Sequence, residues 1–175
     1  NPAGDSVNDI LSSTPTDADA GSDINGVLIC AYTHDANKGT WAYDNGDGSW
    51  VTISTRSDTS NCLGVEDDDD LRFLPAANYN GAATTLNIIA VDNSQAIVTG
   101  TATYDASTRG GSSAFSDDDL SISHTVTAVN DAPIASGSAT LTTINEDATP
   151  TGQTVSALFA SNYADSADSD TLAGI

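Results

Sequence analysis

The chain has 175 residues, with 25 acidic residues against four basic ones and a formal net charge of −21 at pH 7. Because it has no basic patch, it is a poor partner for nucleic acids and for anionic membrane surfaces. Its apolar runs fall short of the roughly 18 residues that span a membrane, and its N-terminus has no signal-peptide pattern. The length is sufficient for one hydrophobic core and part of a second.

Nearly all the acidic residues are aspartates, since only Glu66 and Glu146 are glutamates. Asp in a tight loop hydrogen-bonds its own backbone and offers oxygen atoms to hard cations. Calcium takes roughly 6–8 oxygen ligands in flexible geometry, and its charge would offset the repulsion among the carboxylates. We therefore predict Ca²⁺ as the cofactor. The alternative is a solvated acidic surface of the kind found in salt-adapted proteins.

Strand-like segments follow one another along the chain and are separated by Gly, Asn, Asp and Ser turns. Short strands at this spacing predict an all-β, antiparallel β-sandwich. Asp44–Gly48 is predicted to be a hairpin turn. In the last segment the apolar face changes near His124, which indicates a bulge. The predicted strands are Val27–Thr33, Thr40–Tyr43, Trp50–Ser54, Leu71–Leu74, Thr84–Val91, Ala96–Tyr104 and Leu120–Val129.

One part of the chain occurs twice, at a constant offset of 148 positions. Pro2-Ala3-Gly4 and Val7 recur as Pro150-Thr151-Gly152 and Val155. Such a period is far too long for a solenoid repeat and suits tandem whole domains. Further matched pairs are Ile10/Leu158, Leu11/Phe159, Ser13/Ser161, Asp17/Asp165, Ile24/Leu172, Gly26/Gly174 and Val27/Ile175.

The repeat divides the chain into a module at residues 1–131 and, at 132–175, a junction with the opening segment of the next copy. Val7–Ser13 and Val155–Ser161 are each predicted to form one helical turn. The second copy lacks its long strands and cannot bury a core alone. We therefore expect parts of 132–175 to pack on the module at 1–131, in the same molecule or in a neighbour.

Three motifs together resemble the cadherin-like tandem repeats of giant bacterial RTX adhesins. They are Thr127-Ala128-Val129-Asn130-Asp131-Ala132-Pro133, then Ile144-Asn145-Glu146-Asp147, and Leu71-Arg72-Phe73-Leu74-Pro75-Ala76-Ala77-Asn78-Tyr79-Asn80-Gly81. The resemblance implies an Ig/cadherin-like β-sandwich with Asp-rich calcium-binding loops.

It further implies an extracellular protein of the bacterial cell surface, exported by type I secretion and rigidified by Ca²⁺. Its role would lie in cell adhesion and biofilm formation, and its partners would be the neighbouring repeat modules of the same polypeptide. The glycine-rich nonapeptide repeats of such proteins are absent from this sequence, and a start at Asn1-Pro2 is typical of an excerpt. Both features indicate an internal module.

Two sets of residues are predicted to bind the metal. At the junction, Asn130 and Asp131 offer oxygens beside Pro133, which stiffens the linker, and Glu146 and Asp147 follow in the next copy. An ordinary turn before an edge strand is the alternative there. In two Gly- and Ser-rich loops, carboxylates two positions apart can converge on one ion. These loop residues are Asp17, Asp19 and Asp23 in the first copy and Asp165, Asp168 and Asp170 in the second. The acidic runs Glu66–Asp70 and Asp117–Asp119 are interpreted mainly as solvated loops.

Catalysis is not predicted, because His34 and His124 are the only histidines and no set of nucleophile, base and orienting group can be assembled. The alternative function is a ligand-binding adhesin domain that captures a peptide, protein or sugar through calcium-organised loops. In that case Trp41, Tyr43 and Trp50 would offer a stacking platform, although aromatics around a hairpin are more typical of a core. Cys30 and Cys62 are either a disulfide or two small core residues.

Overall fold

A computed structural model describes residues 2–11, 23–166 and 170–174. The chain divides into two compact units, Asn1–Thr127 and Ala128–Ile175, so the division falls slightly before the predicted one after residue 131. Among the predicted metal ligands, Asp17, Asp19 and Asp168 lie outside the described residues.

Most of the regular structure consists of short β-strands, which confirms the predicted all-β class. In chain order the elements are β1 (Asp5–Ser6), α1 (Val7–Leu11), β2 (Ile24–Tyr32), β3 (Gly39–Asp44), β4 (Val51–Thr52), β5 (Arg56–Ser57), β6 (Leu63–Glu66), β7 (Asp70–Pro75), β8 (Gly81–Ala82), β9 (Leu86–Asp92), β10 (Leu120–Ile122), β11 (Thr125–Val126), β12 (Ile134–Ala135), α2 (Val155–Phe159) and β13 (Tyr163–Ala164). Neither described helix is long and apolar enough to cross a membrane.

Two antiparallel sheets form the body of the first unit. One has the strand order β1-β7-β3-β4. The other has the order β10-β9-β2-β5, and β6 also pairs with β2. The strands β11 and β8 form a separate pair. The predicted hairpin is present, because β3 and β4 pair on either side of the Asp44–Gly48 turn.

The core of the first unit contains buried side chains from both sheets. Trp41 is 3% exposed, its ring meets that of Phe73 edge-on at 5.5 Å, and its Nε1 donates a hydrogen bond to the Thr84 carbonyl oxygen. Trp41 is therefore a core residue and not part of an exposed stacking platform. A second cluster of buried residues comprises Leu28, Cys30, Cys62, Ile89, Val91, Ile97 and Ala106.

Cys30 and Cys62 form a disulfide, which settles the alternative left open by the sequence. The pairing of β2 with β6 brings Ile29 opposite Leu63, so that the next residues, Cys30 and Cys62, also face each other. Their Cα atoms are 4.3 Å apart, and the bridge spans 32 positions of sequence.

The predicted strand Ala96–Tyr104 is wrong, and strand β6 was not predicted. The segment lies beside β6 in irregular conformation: Gly64 N–H donates to the Thr101 carbonyl, and Gly100 N–H donates to the Gly64 carbonyl. Gly100 has a φ of +82°, a left-handed conformation that interrupts an extended strand. The predicted change of face near His124 corresponds to a break between β10 and β11, which pair with different strands.

Several aspartates form the local turns that their abundance predicts. In each of these turns the Asp Oδ1 accepts a hydrogen bond from the backbone N–H two residues later, at 2.7 to 3.0 Å. Part of the Asp bias is thus explained by turn formation without a metal. The turns are Asp35–Asn37, Asp47–Ser49, Asp58–Ser60, Asp92–Ser94 and Asp105–Ser107.

The two predicted helical turns are confirmed as α1 and α2. The first residues of the two helices are 148 positions apart, and so are their last residues. Their N-termini are also alike. Asp9 N–H donates to Ser6 Oγ at 3.1 Å, and Ala157 N–H donates to Thr154 Oγ1 at 3.1 Å. The repeat seen in the sequence is therefore a repeat of local structure.

The second unit contains α2 and the pair β12–β13. None of its described residues is buried. Large apolar side chains that would form a core elsewhere are exposed here: Val129, Ile134, Leu141, Ile144 and Val155. The described part of this unit therefore has no hydrophobic core of its own.

Candidate cation site

The pairing of β12 with β13 determines which acidic segments of the second unit meet. Ile134 lies opposite Ala164 and Ala135 lies opposite Tyr163. Beyond the ladder, the Ser136 N–H donates to the Asn162 carbonyl at 2.9 Å, and Asn162 Nδ2 donates to the Ser136 carbonyl at 2.7 Å. The residues before β12 consequently lie beside the residues after β13.

An open cleft of about 350 Å³ lies at this point. Four of the predicted metal ligands line it, two from the junction and two from the Asp-rich loop: Asn130, Asp131, Asp165 and Asp170. The remaining lining residues are Pro133, Tyr163, Thr171, Leu172, Ala173 and Gly174. The junction and the Asp-rich loop were predicted as separate sites, whereas in the structure residues of both line one cleft.

The cleft is electrostatically negative. The pKa of the Tyr163 hydroxyl is raised above its ordinary value of 10.0 by desolvation and then by the charges of Asp165 and Asp170. The second unit has six acidic residues and no Lys, Arg or His. No side chain of this unit can therefore neutralise these carboxylates.

The donor types in the cleft are those that calcium prefers. Asn130 Nδ2 donates to the Asp131 carbonyl oxygen at 2.9 Å, so the amide oxygen of Asn130 is its remaining acceptor. Together with three carboxylates it offers hard oxygen ligands. Within the described ranges, however, no three Asp, Glu, His or Cys side chains are close enough together to hold a metal ion as they stand. The cleft thus offers the oxygen atoms that calcium binds, but these atoms do not form a complete coordination shell.

Glu146 and Asp147 are not among the residues that line the cleft. They lie in an exposed turn that the Ala148 N–H closes by donating to the Asn145 carbonyl at 3.1 Å. They therefore do not share the lining of the cleft with Asn130 and Asp131. In the first unit, Asp23 is exposed directly before β2, and its predicted co-ligands Asp17 and Asp19 lie outside the described residues.

A second acidic group lies in the first unit, and the sequence predicted its two members separately, Asp44 in a hairpin turn and Asp69 in the acidic run Glu66–Asp70. Asp44 and Asp69 are only 7% and 6% exposed, and the Asp69 carboxylate accepts a hydrogen bond from the Thr99 hydroxyl. Desolvation raises the pKa of Asp69 above its ordinary value of 3.8, and the charges of Asp68, Glu66 and Asp44 raise it further. The interpretation of Glu66–Asp70 as a solvated loop is thus wrong for Asp69. The pairing of β3 with β7 brings the two acids near each other, and no local pattern signals it.

The substitution Asp69→Asn is expected to raise the thermal midpoint at pH 7 in EDTA. Because the folded-state pKa is raised, the ionised carboxylate costs stability above that pKa, and the amide removes this cost. The gain should shrink as the pH falls through the raised pKa and vanish below the ordinary value of 3.8, where both states are protonated. Thermal melts from pH 7 to pH 3.5 measure this. Asp118→Asn, at an exposed position whose charge is not among those that raise the pKa of Asp69, is the control. A lower midpoint for Asp69→Asn than for the parent at pH 7 would contradict this expectation.

Comparison with known proteins found no matching family model, no matching curated protein and no matching solved structure.

Proposed function

We propose that the chain is a calcium-binding β-sandwich module of an extracellular bacterial adhesin, in which Ca²⁺ stiffens the joint between successive modules. The observation that carries this proposal is the cleft lined by Asn130, Asp131, Asp165 and Asp170. Two segments more than thirty residues apart, each rich in oxygen donors, meet there in a unit without any basic side chain. A hard divalent cation is the partner that this chemistry fits.

The cleft also suits a role in stiffening. Asn130 and Asp131 belong to the linker that follows the first unit, whereas Asp165 and Asp170 follow β13. A cation held by both segments would favour the arrangement in which they lie together, because it binds that arrangement and not the separated one. The linker would then lose flexibility when calcium binds.

Two features of the fold support a tandem, cadherin-like module. Side chains of both sheets of the first unit share one core, as the two sheets of an Ig/cadherin-like sandwich do. The capped helical turns α1 and α2 repeat one local structure at the period of a whole domain. Neighbouring repeat modules of the same polypeptide are the proposed partners.

The disulfide supports the proposed extracellular location. Stable disulfides are typical of oxidising compartments and rare in the reducing cytosol. Cys30 and Cys62 are 5% and 0% exposed, so the bridge is shielded from soluble reductants once it has formed. A cell-surface adhesin involved in adhesion and biofilm formation would require such durability.

Calorimetric titration with Ca²⁺ tests the cleft. The double substitution Asp165→Asn and Asp170→Asn keeps an oxygen on each side chain and removes two charges, so we expect the loss of one binding event or an affinity roughly tenfold lower. Asp118→Asn, which removes an exposed charge of the first unit, is the matched control and should bind as the parent does. An unchanged isotherm for the double variant would refute the cleft as the site. Glu146→Gln with Asp147→Asn measures whether the exposed turn contributes.

A further inference from the structure

Residues 2–11 form a structural plug in the first unit, and residues 150–159 are a copy of that plug. The plug consists of β1, α1 and the three residues before them. It binds β7 through two antiparallel pairs, Asp5 opposite Leu71 and Ser6 opposite Asp70. The backbone continues the contact, since Val7 N–H donates to the Asp69 carbonyl at 3.0 Å. The site that receives the plug is therefore defined in the structure.

The start of the plug fits its site through a glycine and a proline. Gly4 has a φ of +121°, and a Cβ added there would lie 2.5 Å from Cη2 of Trp50. The Arg72 guanidinium carbon lies 3.8 Å from the centre of the Trp50 ring, and Arg72 Nη1 donates to the Pro2 carbonyl at 3.2 Å. The site thus requires a residue without a side chain at the position of Gly4.

The copy keeps this glycine although no described residue around it requires one. A Cβ added at Gly152 would meet no described atom within 4 Å, and the backbone there is not left-handed. A side chain would therefore fit at Gly152 in the described structure. Gly152 is explained if the copy also binds against a tryptophan in the way that Gly4 does. Pro150 and Thr154 repeat the proline and the helix cap of the plug.

The apolar side chains of the copy are more exposed than those of the plug. Val7 is 1% exposed and Leu11 is 4% exposed in the core, whereas their counterpart Val155 is 40% exposed and Phe159 is half-buried. Covering these side chains would remove further apolar surface from water, which is favourable. The copy therefore carries apolar side chains at the positions that the plug buries, and no described residue buries Val155 or Phe159 fully.

The difference in charge between the two segments favours binding of the copy at the plug site. The plug carries Asp5 and Asp9, and its backbone contacts the acidic run Glu66–Asp70. Residues 150–159 have no charged side chain, since Gln153 and Ala157 stand at the equivalent positions. The copy would meet the same acidic run with less repulsion.

We infer that residues 150–159 of one molecule bind the plug site of a second copy of this chain and displace residues 2–11 there. The contact is head-to-tail, so that repeated exchange generates rings or open chains of molecules. Residues 2–11 are covalently joined to the molecule that contains the plug site, so they compete for that site at a high and fixed effective concentration. Residues 150–159 come from another molecule, and the extent of exchange should therefore rise with protein concentration.

Mixing two variants that each carry one added cysteine, besides the native Cys30–Cys62 bridge, tests the exchange directly. In the register of the plug, Thr154 of the incoming copy would face Asp70 of the receiving molecule. Asp70→Cys and Thr154→Cys chains, mixed and mildly oxidised at high concentration, should give a disulfide-linked heterodimer that mass spectrometry identifies. Asp70→Cys mixed with Ser138→Cys, an exposed position outside the copy, is the control. Equal yields in the two mixtures would overturn the inference.

Two glycine substitutions should change the yield in opposite directions. Gly152→Val has free space in its own unit, so we expect an unchanged melting temperature and a several-fold loss of heterodimer because of a clash with Trp50. Gly4→Val weakens the resident plug and should raise the yield. If Gly152→Val leaves the yield unchanged, or if sedimentation shows only monomer for Gly4→Val at millimolar concentration, the exchange does not occur.

Discussion

Reducing the Cys30–Cys62 disulfide is expected to lower the free energy of unfolding by about 3–4 kcal/mol. The estimate follows from the loop-closure entropy that a bridge over 32 positions removes from the unfolded chain. For a protein of this size the thermal midpoint should fall by roughly 10 °C. The effect is large because the bridge joins β2 to the start of β6, beside the central strands of the larger sheet.

Because the buried bridge is shielded in the folded protein, the reduced sample is prepared by unfolding the parent, reducing it with a phosphine and refolding it. Thermal melts of the oxidised and reduced samples measure the effect, with alkylation of a denatured aliquot and mass spectrometry to verify that both thiols are free. The variant with Cys30→Ala and Cys62→Ala is the control, since its melting temperature should not respond to the reductant. Equal midpoints for the reduced and oxidised parent would show that the bridge contributes nothing to stability.

Millimolar calcium is expected to raise the free energy of unfolding relative to EDTA by about 4 kcal/mol for each site held at 1,000 times its dissociation constant. The physical reason is the uncompensated charge of the chain, −21 overall, with six acids and no base in the second unit. At the proposed site we expect calcium to neutralise these carboxylates in the folded state, because the unfolded chain would offer no comparable site. Scanning calorimetry measures the shift.

Screening by salt must be separated from binding in that experiment. Sodium chloride at matched ionic strength reduces repulsion among exposed charges but occupies no site. Magnesium, which demands octahedral geometry and keeps its waters, should stabilise less than calcium. If sodium chloride reproduces the whole effect, the acidic residues form a solvated surface and the proposed calcium site is refuted.

The elements that the sequence predicted are those with a local signal. The continuous apolar run of β2, the alternation in β3 and β7 and the Asn-Gly hairpin turn after β3 indicate their structures directly. The 148-position repeat predicted α1 and α2 together. Strand β6 was not predicted, because it has only four residues and leads into a run of acidic residues that is typical of a loop. Ala96–Tyr104 has the composition of a strand, yet composition cannot show that Gly100 interrupts it.

The residues of the candidate site were predicted from the sequence, but the way in which they come together was not. Asn130, Asp131, Asp165 and Asp170 were all named from the sequence, but Asn130 and Asp131 were grouped with Glu146 and Asp147. The cleft depends on the pairing of two strands of two residues each, β12 and β13. A strand of that length has no periodicity to detect, and its partner is determined by long-range contacts. The same holds for the approach of Asp44 to Asp69.

The position of the disulfide also matters under mechanical load. In the proposed adhesin, tension would be transmitted along the backbone, and a domain that unfolds would lengthen the protein. The bridge joins Cys30 directly to Cys62, so force bypasses the hairpin β3–β4 and everything else in between. About 110 Å of chain, 32 residues at roughly 3.4 Å each, is thus withheld from extension while the bond is intact. Stretching single oxidised molecules should give a contour length shorter by that amount than stretching reduced ones.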